Sequence, residues 1–285
     1  MDPIDVAEFA LSAPEIDPNK ASPARIYDFW LGGSQNFAVD RELGRRMANT
    51  LPSLPAAARA NRAFLGRIVH HLTAVHGIDQ FLDLGSGVPT MQNVHEVARE
   101  INPRAAVAYV DMDPVAVEHA RMLLSGVSGV SALLADLREP ESVLRHPLLA
   151  ETLDFDRPVA VLMFAVLHFM PNAREIVEAY ADLVAPGSFI ALSHAETLAA
   201  TSQEQASAAT DYTRATGVSV VSRSTAELEA LLAGLTVESP GVVRIQEWRT
   251  EPGSEDTEVE DAEMRMYGAL ARKPDTYTAS WTRLA

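Results

Sequence analysis

Glycine and aspartate residues recur where predicted strands end. The run Gly85-Ser86-Gly87 follows the apolar strand Gln80–Leu84, and glycines at this position let the backbone approach a ligand at the carboxyl edge of a sheet. Asp111 ends the next predicted strand, where a carboxylate accepts hydrogen bonds from ribose hydroxyls, and Asp136 ends the third. Because parallel strands end at one edge, these groups predict a shared nucleoside site. Each aspartate could instead be a helix cap or a loop residue.

The same turn indicates which kind of nucleoside it binds. A dinucleotide-binding turn has a third glycine, so that pyrophosphate lies on a helix N-terminus, but Thr90 stands at that position and Pro89 precedes it. Asp83, just before the glycines, adds negative charge that disfavours pyrophosphate. The turn favours a nucleoside that carries an amino acid and a sulfonium centre, since an ammonium group favours acidic neighbours. An NAD(P)-dependent oxidoreductase is the competing enzyme interpretation.

Two histidines follow predicted strands at this edge, His168 after the fourth and His194 after the fifth. A histidine that titrates near neutrality is a useful general base, so His168 is the candidate base, although a histidine in such a loop is more often a hydrogen-bonded structural residue. The catalytic residue therefore stays unassigned. No metal site is predicted, because the adjacent His70 and His71 point to different faces of a helix and the chain contains no cysteine.

Short apolar runs alternate with amphipathic helices along the middle of the chain, which predicts parallel strands joined by helices. Two later apolar runs, 237–248 and 265–272, have no helix between them and predict an antiparallel pair. The predicted fold is α/β: a doubly wound, mostly parallel, seven-stranded Rossmann-like sheet with an antiparallel C-terminal strand pair and an N-terminal helical lid. The predicted parallel strands are 80–84, 106–110, 130–135, 158–164 and 188–193.

The sequence divides into a loose N-terminal arm (1–20), an N-terminal helical segment (21–75) and a main domain (76–285) that forms one compact unit with the segment. Polar, aromatic and glycine residues are concentrated in the segment, with Gly32-Gly33 as a bend. An amphipathic helical hairpin explains them. The alternative is a lid that excludes water from a cofactor and an acceptor, with Tyr27 or Trp30 against the sulfonium.

The formal net charge is −16, which disfavours a broad interface with nucleic acid or an anionic membrane surface. The acid-rich stretch 251–263 is predicted to be a solvated loop. No apolar run approaches the ~18–20 residues that span a bilayer, and the chain opens with neither a basic stretch nor a signal-like apolar run. We therefore expect a cytoplasmic protein, and the sequence leaves the oligomeric state open.

Two motifs and several flanking segments are similar to those of a known family. The sequences from Asp83 to Gly87 and from Val110 to Pro114 resemble the first two motifs of class I S-adenosylmethionine-dependent methyltransferases. The wider set resembles an actinobacterial S-adenosyl methyltransferase family formerly catalogued as a domain of unknown function, over about residues 22 to 274. That set comprises 24–28, 31–33, 36–37, 61–64, 80–90, 93–98, 109–114 and 267–274.

The resemblance implies S-adenosyl-L-methionine as the cofactor and a role for each matching residue. Gly85, Ser86 and Gly87 would pass under its methionine part, and Asp83 would lie close to its ammonium group. Asp111 would bind the ribose hydroxyls. The remaining implied or predicted cofactor contacts are Met112 against adenine, Asp136 at the adenine amine with Leu137 nearby, Phe164 and Ala165 beside the methionyl chain, and Tyr27, Gly33, Asn36 and Arg62 from the lid and the following helix.

The end of the fourth strand bears on the methyl acceptor. It reads Met163-Phe164-Ala165-Val166-Leu167-His168 and departs from the Asp/Asn-Pro-Pro-aromatic pattern of amino-directed nucleic-acid methylases. A small-molecule acceptor is therefore expected, with neither nucleic acid nor membrane as partner. Since a sulfonium is an activated leaving group, positioning supplies much of the rate and a base is optional. A non-catalytic S-adenosylmethionine-binding regulator is the alternative from another class.

Overall fold

The computed structural model describes residues 16–90, 92–197, 203–249 and 264–277. The first fifteen residues of the predicted arm and the acid-rich stretch 251–263 lie outside the described residues. The described helices are α1 (Pro23–Trp30), α2 (Ala38–Thr50), α3 (Leu54–His76), α4 (Val94–Ile101), α5 (Pro114–Leu123), α6 (Pro140–Leu144), α7 (Pro147–Thr152), α8 (Ala173–Leu183), α9 (Gln203–Thr216) and α10 (Thr225–Leu231). The described strands are β1 (Gln80–Leu84), β2 (Ala106–Asp111), β3 (Val130–Leu134), β4 (Ala160–Phe164), β5 (Phe189–Thr197), β6 (Thr236–Val237), β7 (Val243–Arg244) and β8 (Met264–Arg272).

The strands form one sheet in the order β3-β2-β1-β4-β5-β8-β6, and β7 also pairs with β8. The strands from β1 to β5 are parallel, whereas β8 is antiparallel to its partners β5, β6 and β7. The first strand, β1, lies in the middle of the sheet. β2 and β3 follow towards one edge, and β4, β5 and β8 continue on the other side of β1. The predicted doubly wound, mostly parallel sheet is confirmed.

Helices cover both faces of the sheet, which explains why its central strands are apolar throughout. One core cluster joins Leu82 and Leu84 to residues of α6, α7, α8 and α10. The other joins Phe81 to α3, α4 and α5. Successive residues of β1 thus alternate between two buried faces, and all five residues of β1 are buried.

The predicted strand over 237–248 is wrong in its extent, because Pro240 and Gly241 interrupt it. Proline has no N–H for a strand ladder, and Gly241 has a φ of 93° in a turn where its N–H donates to the carbonyl of Glu238. Two short strands, β6 and β7, replace the single predicted one and raise the described sheet from seven to eight strands.

The N-terminal helices pack as a separate layer against α9. Ile26, Leu43, Met47 and Leu54 share a small apolar cluster with Tyr212 of α9. This cluster is distinct from the two that cover the sheet, so α1, α2, the start of α3 and α9 form one cover over the edge where β1 to β4 end, while the rest of α3 packs on the sheet. Of the described helices, none is long and apolar enough to cross a membrane.

Candidate cofactor and substrate site

A cavity of about 1080 Å³ lies where β1 to β4 end. All the predicted cofactor residues except Gly33 and Asn36 line it, and so does the candidate base His168. The predicted residues brought together are Tyr27, Arg62, Asp83, Gly85, Ser86, Gly87, Asp111, Met112, Asp136, Leu137, Phe164 and Ala165.

The turn after β1 depends on glycine for two different reasons. Gly85 has a φ of 71°, and a Cβ at this residue would lie 2.5 Å from Cγ2 of Val166. Gly87 has a φ of 65° with open space around it, so its conformation alone favours glycine. Its N–H donates to Oδ2 of Asp111 over 2.7 Å, which ties the turn to the end of β2.

Asp111 is buried and held by backbone donors. Its Oδ2 accepts from the Gly87 N–H, and its Oδ1 accepts from the Asp113 N–H over 2.8 Å. Burial raises the pKa of Asp111 to about 6, although these backbone hydrogen bonds act to lower it. Each carboxylate oxygen has a second lone pair, so the group retains acceptor capacity towards the cavity.

Asp83 is the most strongly perturbed carboxyl group at the cavity. Burial raises its pKa to about 7, while the charge of Arg62 lowers it and that of Asp111 raises it. Arg62 also donates from Nη2 to the carbonyl of Gln92 over 3.1 Å. A buried carboxyl group with a strongly perturbed pKa beside a cavity marks a candidate functional site.

Asp136, the aspartate that follows β3, differs from Asp83 and Asp111 because an arginine side chain pairs with it. Arg138 donates from Nε to both carboxylate oxygens of Asp136, each over 2.9 Å. Burial acts to raise the pKa of Asp136, but the hydrogen bonds and charge of Arg138 outweigh it and hold this pKa below its usual range. Met112 is exposed and Leu137 is buried, and both present apolar surface to the cavity.

A chain of hydrogen bonds runs from α1 to the end of β4. Tyr27 donates from its hydroxyl to the carbonyl of Ala58 and accepts from Nδ2 of Asn61, both over 2.9 Å. The Asn61 Oδ1 accepts from the Ser193 hydroxyl over 2.6 Å, and that hydroxyl accepts from the Ala165 N–H over 2.9 Å. Ala165 has a φ of 51°, a conformation that costs a non-glycine residue about 1–2 kcal/mol. Tyr27 thus helps to fix a backbone that borders the cavity.

The structure does not place Gly33 and Asn36 at the cavity, contrary to the prediction. Asn36 donates from Nδ2 to Oδ2 of Asp28 over 2.7 Å and to the carbonyl of Gly33 over 2.9 Å. A Cβ at Gly33 would lie 1.9 Å from Oδ1 of Asp28. Both residues therefore build the bend between α1 and α2, where burial raises the pKa of Asp28.

A buried ion-pair network, which the sequence analysis missed, joins the N-terminal segment to the end of β2. Arg25 donates from Nε to Asp40 over 2.8 Å and from Nη1 to Asp113 over 3.1 Å. Ser22 donates its hydroxyl to Asp113 and its N–H to Asp40. Asp113 also caps α5, because its side chain accepts from the N–H groups of Val115 and Ala116. Motif spacing gives no signal for a pair 88 residues apart in the chain.

The side of the cavity formed by the N-terminal segment and α9 is mostly apolar, although Arg25, Asn61 and Thr213 also line it. Phe169 and Tyr212 stack with ring centroids 6.4 Å apart, and both line the cavity. Further apolar lining residues from this cover include Trp30, Met47, Leu51, Leu54 and Ala209. The cavity therefore combines acidic groups at the strand ends with an apolar surface from the cover.

His168 lines the cavity but does not titrate near neutrality as expected. Burial lowers its pKa to about 3, and the nearby charges of His194 and Arg223 act in the same direction. Its Nδ1 has no hydrogen-bond partner among the residues that the structure describes. His194 is paired instead. Its Nε2 accepts from Nη1 of Arg223 over 2.9 Å, and its Nδ1 donates to the Ala195 carbonyl.

The sheet order, the glycine turn and the acidic strand ends together define a Rossmann-like, class I methyltransferase fold. The family comparison identifies the particular group. The family model described as S-adenosyl methyltransferase matches residues 10–274. The chain therefore belongs to the S-adenosyl methyltransferase family, whose cofactor is S-adenosylmethionine.

Solved structures agree with this assignment. A DUF574 family protein from Streptomyces avermitilis is 37% identical, with a TM-score of 0.85 over 91% of this chain and 100% of that chain. A putative methyltransferase from Thermobifida fusca is 35% identical, with a TM-score of 0.83 over 93% and 99%. A geranyl diphosphate methyltransferase is 13% identical, covers 77% of this chain and 80% of its own, and at a TM-score of 0.51 shows the fold alone. The comparison with curated proteins finds no match.

Proposed function

We propose that this chain transfers a methyl group from S-adenosylmethionine to an apolar small molecule bound in the same cavity. The observation that carries the proposal is the composition of the cavity. Its volume of about 1080 Å³ is at the upper end of the range of roughly 300–1,000 Å³ for small-molecule sites. The strand ends present carboxylates, whereas the N-terminal segment and α9 present aromatic and aliphatic side chains. A polar cofactor and an apolar acceptor match these two surfaces.

The residues present fit the cofactor. Asp111 retains lone pairs for ribose hydroxyls, and Asp83 offers a carboxylate to an ammonium group. Gly85 and Gly87 leave room for close backbone approach. Met112 supplies exposed apolar surface for a base, while Asp136 is already neutralised by Arg138 and is the weaker contact of the three aspartates.

The cofactor supplies an electrophilic methyl group on a sulfonium, an activated leaving group. The protein then has to align the acceptor and exclude water, which are the functions of a closed cover. We assign the first to the apolar cover residues and the second to the packing of α9 on the N-terminal segment. With a pKa of about 3, His168 is a poor base, and we assign it the role of a neutral hydrogen-bonding group beside the acceptor.

Label transfer tests this proposal. The chain is incubated with methyl-labelled S-adenosylmethionine and extracts fractionated by polarity, with Asp111→Asn as the cofactor-deficient control. We expect label in an apolar small molecule with the unchanged chain and little with the variant. Label in nucleic acid, protein or strongly polar metabolites contradicts an apolar acceptor. Retained cofactor binding without transfer to any fraction favours the non-catalytic regulator.

A second variant separates the two surfaces. Phe169→Leu removes the ring that stacks on Tyr212 and keeps an apolar side chain. We expect a higher KM for the acceptor with unchanged affinity for S-adenosylhomocysteine. A loss of cofactor affinity instead would place the cofactor, rather than the acceptor, against the apolar cover.

A further inference from the structure

Three potential metal ligands meet at the edge of the sheet opposite the cavity. We call His71, His76 and Glu238 the His–Glu cluster. His71 and His76 lie in the last turns of α3, and Glu238 directly follows β6. The ring of His76 lies 4.6 Å from that of Phe189, the first residue of β5. The cluster is therefore at the amino ends of the parallel strands, away from the cofactor residues at their carboxyl ends.

The ligand atoms of the cluster lie at the distances that a small metal ion requires. The two Nε2 atoms are 3.2 Å apart. The Nε2 of His76 is 3.2 Å from Oε2 of Glu238, and the Nε2 of His71 is 3.5 Å from the same oxygen. Zn²⁺ bonds to histidine nitrogen at ~2.0–2.1 Å and to carboxylate oxygen at ~2.0–2.2 Å, so the edges of its tetrahedron are about 3.3 Å long. Three edges of that length are present.

The protonation of the cluster also favours a cation. Two imidazole nitrogens that face each other cannot both carry protons without repulsion, and the carboxylate oxygens beside them only accept. A metal ion satisfies all three acceptors at once, whereas protons satisfy them only in part.

The surrounding structure fixes the three ligands before any ion binds. Trp248 meets the ring of His71 edge-on at 5.5 Å. The backbone N–H of Glu238 donates to the carbonyl of Leu270 over 2.8 Å, which holds this residue to β8. His76 and Glu238 remain partly exposed, so an ion and a water molecule can reach the site from solvent.

We propose that the His–Glu cluster is a site for a divalent transition-metal ion, with Zn²⁺ as the best match and water as the fourth ligand. The ion would join the end of α3 to the C-terminal part of the sheet. His76 and Glu238, which it would link, are 162 positions apart in the chain. Because it lies far from the cavity along the sheet, its role is structural and does not rest on the proposed function. The sequence alone predicts no metal here, because the carboxylate that the fold places beside the helical histidines is far away in the chain.

Metal titration of the protein, prepared without an affinity tag, tests the site. After removal of bound metal with a chelator, ZnCl₂ binding is measured by calorimetry, and CoCl₂ binding by the visible absorption of tetrahedral Co²⁺. We expect one ion per chain, a rise in Tm with Zn²⁺, and intense Co²⁺ absorption. Glu238→Gln, which retains size, and His76→Ala should each weaken binding by at least about tenfold.

The matched control is His70→Ala, which removes an exposed neighbour on the same helix and should bind Zn²⁺ as the unchanged chain does. The proposal is overturned if the unchanged chain does not bind Zn²⁺, or if Glu238→Gln binds Zn²⁺ as tightly as the unchanged chain does. If His76→Ala does not fold, Glu238→Gln decides alone. Affinity for S-adenosylhomocysteine should stay the same in Glu238→Gln.

Discussion

The strand ends and the N-terminal segment both contain buried acidic groups, but these groups are satisfied in different ways. At the strand ends, Asp111 is held by backbone N–H groups and faces a cavity. In the N-terminal segment, Asp40 is fully buried and accepts from the Ser22 and Phe37 N–H groups and from the Arg25 side chain. Asp111 therefore borders a space that a ligand can enter, whereas Asp40 is enclosed by its partners within the protein.

This difference separates binding residues from residues that hold the cover in place. A polar residue near a cavity can serve either role, and its type alone does not distinguish them. The distinction lies in where the remaining lone pairs and donors point. The following variants test it, beginning with the largest expected effect.

The Arg25→Met variant should lower the free energy of unfolding by about 3–5 kcal/mol. It removes the cation between Asp40 and Asp113 and leaves two buried carboxylates without their counter-ion. Urea denaturation measures the change. Arg46→Met, which removes an exposed arginine 4.0 Å from Glu42, should change stability by less than ~0.5 kcal/mol. Equal effects for the two variants would contradict the importance of the buried network.

The Gly33→Ala variant should cost about 1–3 kcal/mol of stability, because the new Cβ would overlap the Asp28 carboxylate. Its affinity for S-adenosylhomocysteine, per folded molecule, should stay within about twofold. Gly66→Ala is the control: this helical glycine has open space around it, and alanine there should stabilise α3 by about 0.5–1 kcal/mol. If Gly33→Ala weakens cofactor binding without a change in stability, Gly33 contacts the cofactor after all.

The Asp111→Asn variant should weaken cofactor binding by at least about tenfold, since a hydrogen bond to a charged group contributes about 1.5–3 kcal/mol. Calorimetry with S-adenosylhomocysteine measures the affinity, and circular dichroism confirms the fold. The exposed Glu118→Gln serves as control and should bind normally. Unchanged affinity in a folded Asp111→Asn chain would remove the assigned ribose contact.

Cofactor binding near pH 7 should release a fraction of a proton from Asp83. Burial raises its pKa to about 7 in the free protein, and a bound ammonium group favours the ionised form. Affinity should therefore rise as the pH increases from about 6 to 8, and binding enthalpies should differ between buffers of different ionisation enthalpy. The buffer dependence should disappear in Asp83→Asn. If it persists unchanged there, another group releases the proton.

The stability of the free protein should change with pH in the opposite direction. A carboxyl group whose pKa is higher in the folded chain than in the unfolded chain binds protons more tightly when folded. The contributions of Asp83 and Asp111 to stability are therefore greatest near pH 4, and they diminish as the pH rises towards 7. Thermal unfolding of the unchanged chain and the Asp83→Asn variant measures this difference.

Local patterns sufficed to predict the central sheet and the residues at its carboxyl edge. The glycine turn and Asp111 were recognisable because each belongs to a short motif at the end of an apolar strand. The long strand expected over 237–248 was wrong, because average hydropathy outweighed the break at Pro240 and Gly241. Gly33 and Asn36 were assigned to the cofactor from their residue types, and only their contacts with Asp28 revealed the bend that they build.

The sequence by itself determined the α/β class, the mostly parallel central sheet and the acidic edge where the cofactor residues meet, because periodicity and strand-end motifs act over a few residues. The tertiary structure decided which polar groups face the cavity, how Arg25 reaches Asp113, and that Glu238 joins two histidines on α3. These outcomes depend on burial and on pairs far apart in the chain. Desolvation and packing are set only when distant segments come together, and no local pattern encodes them.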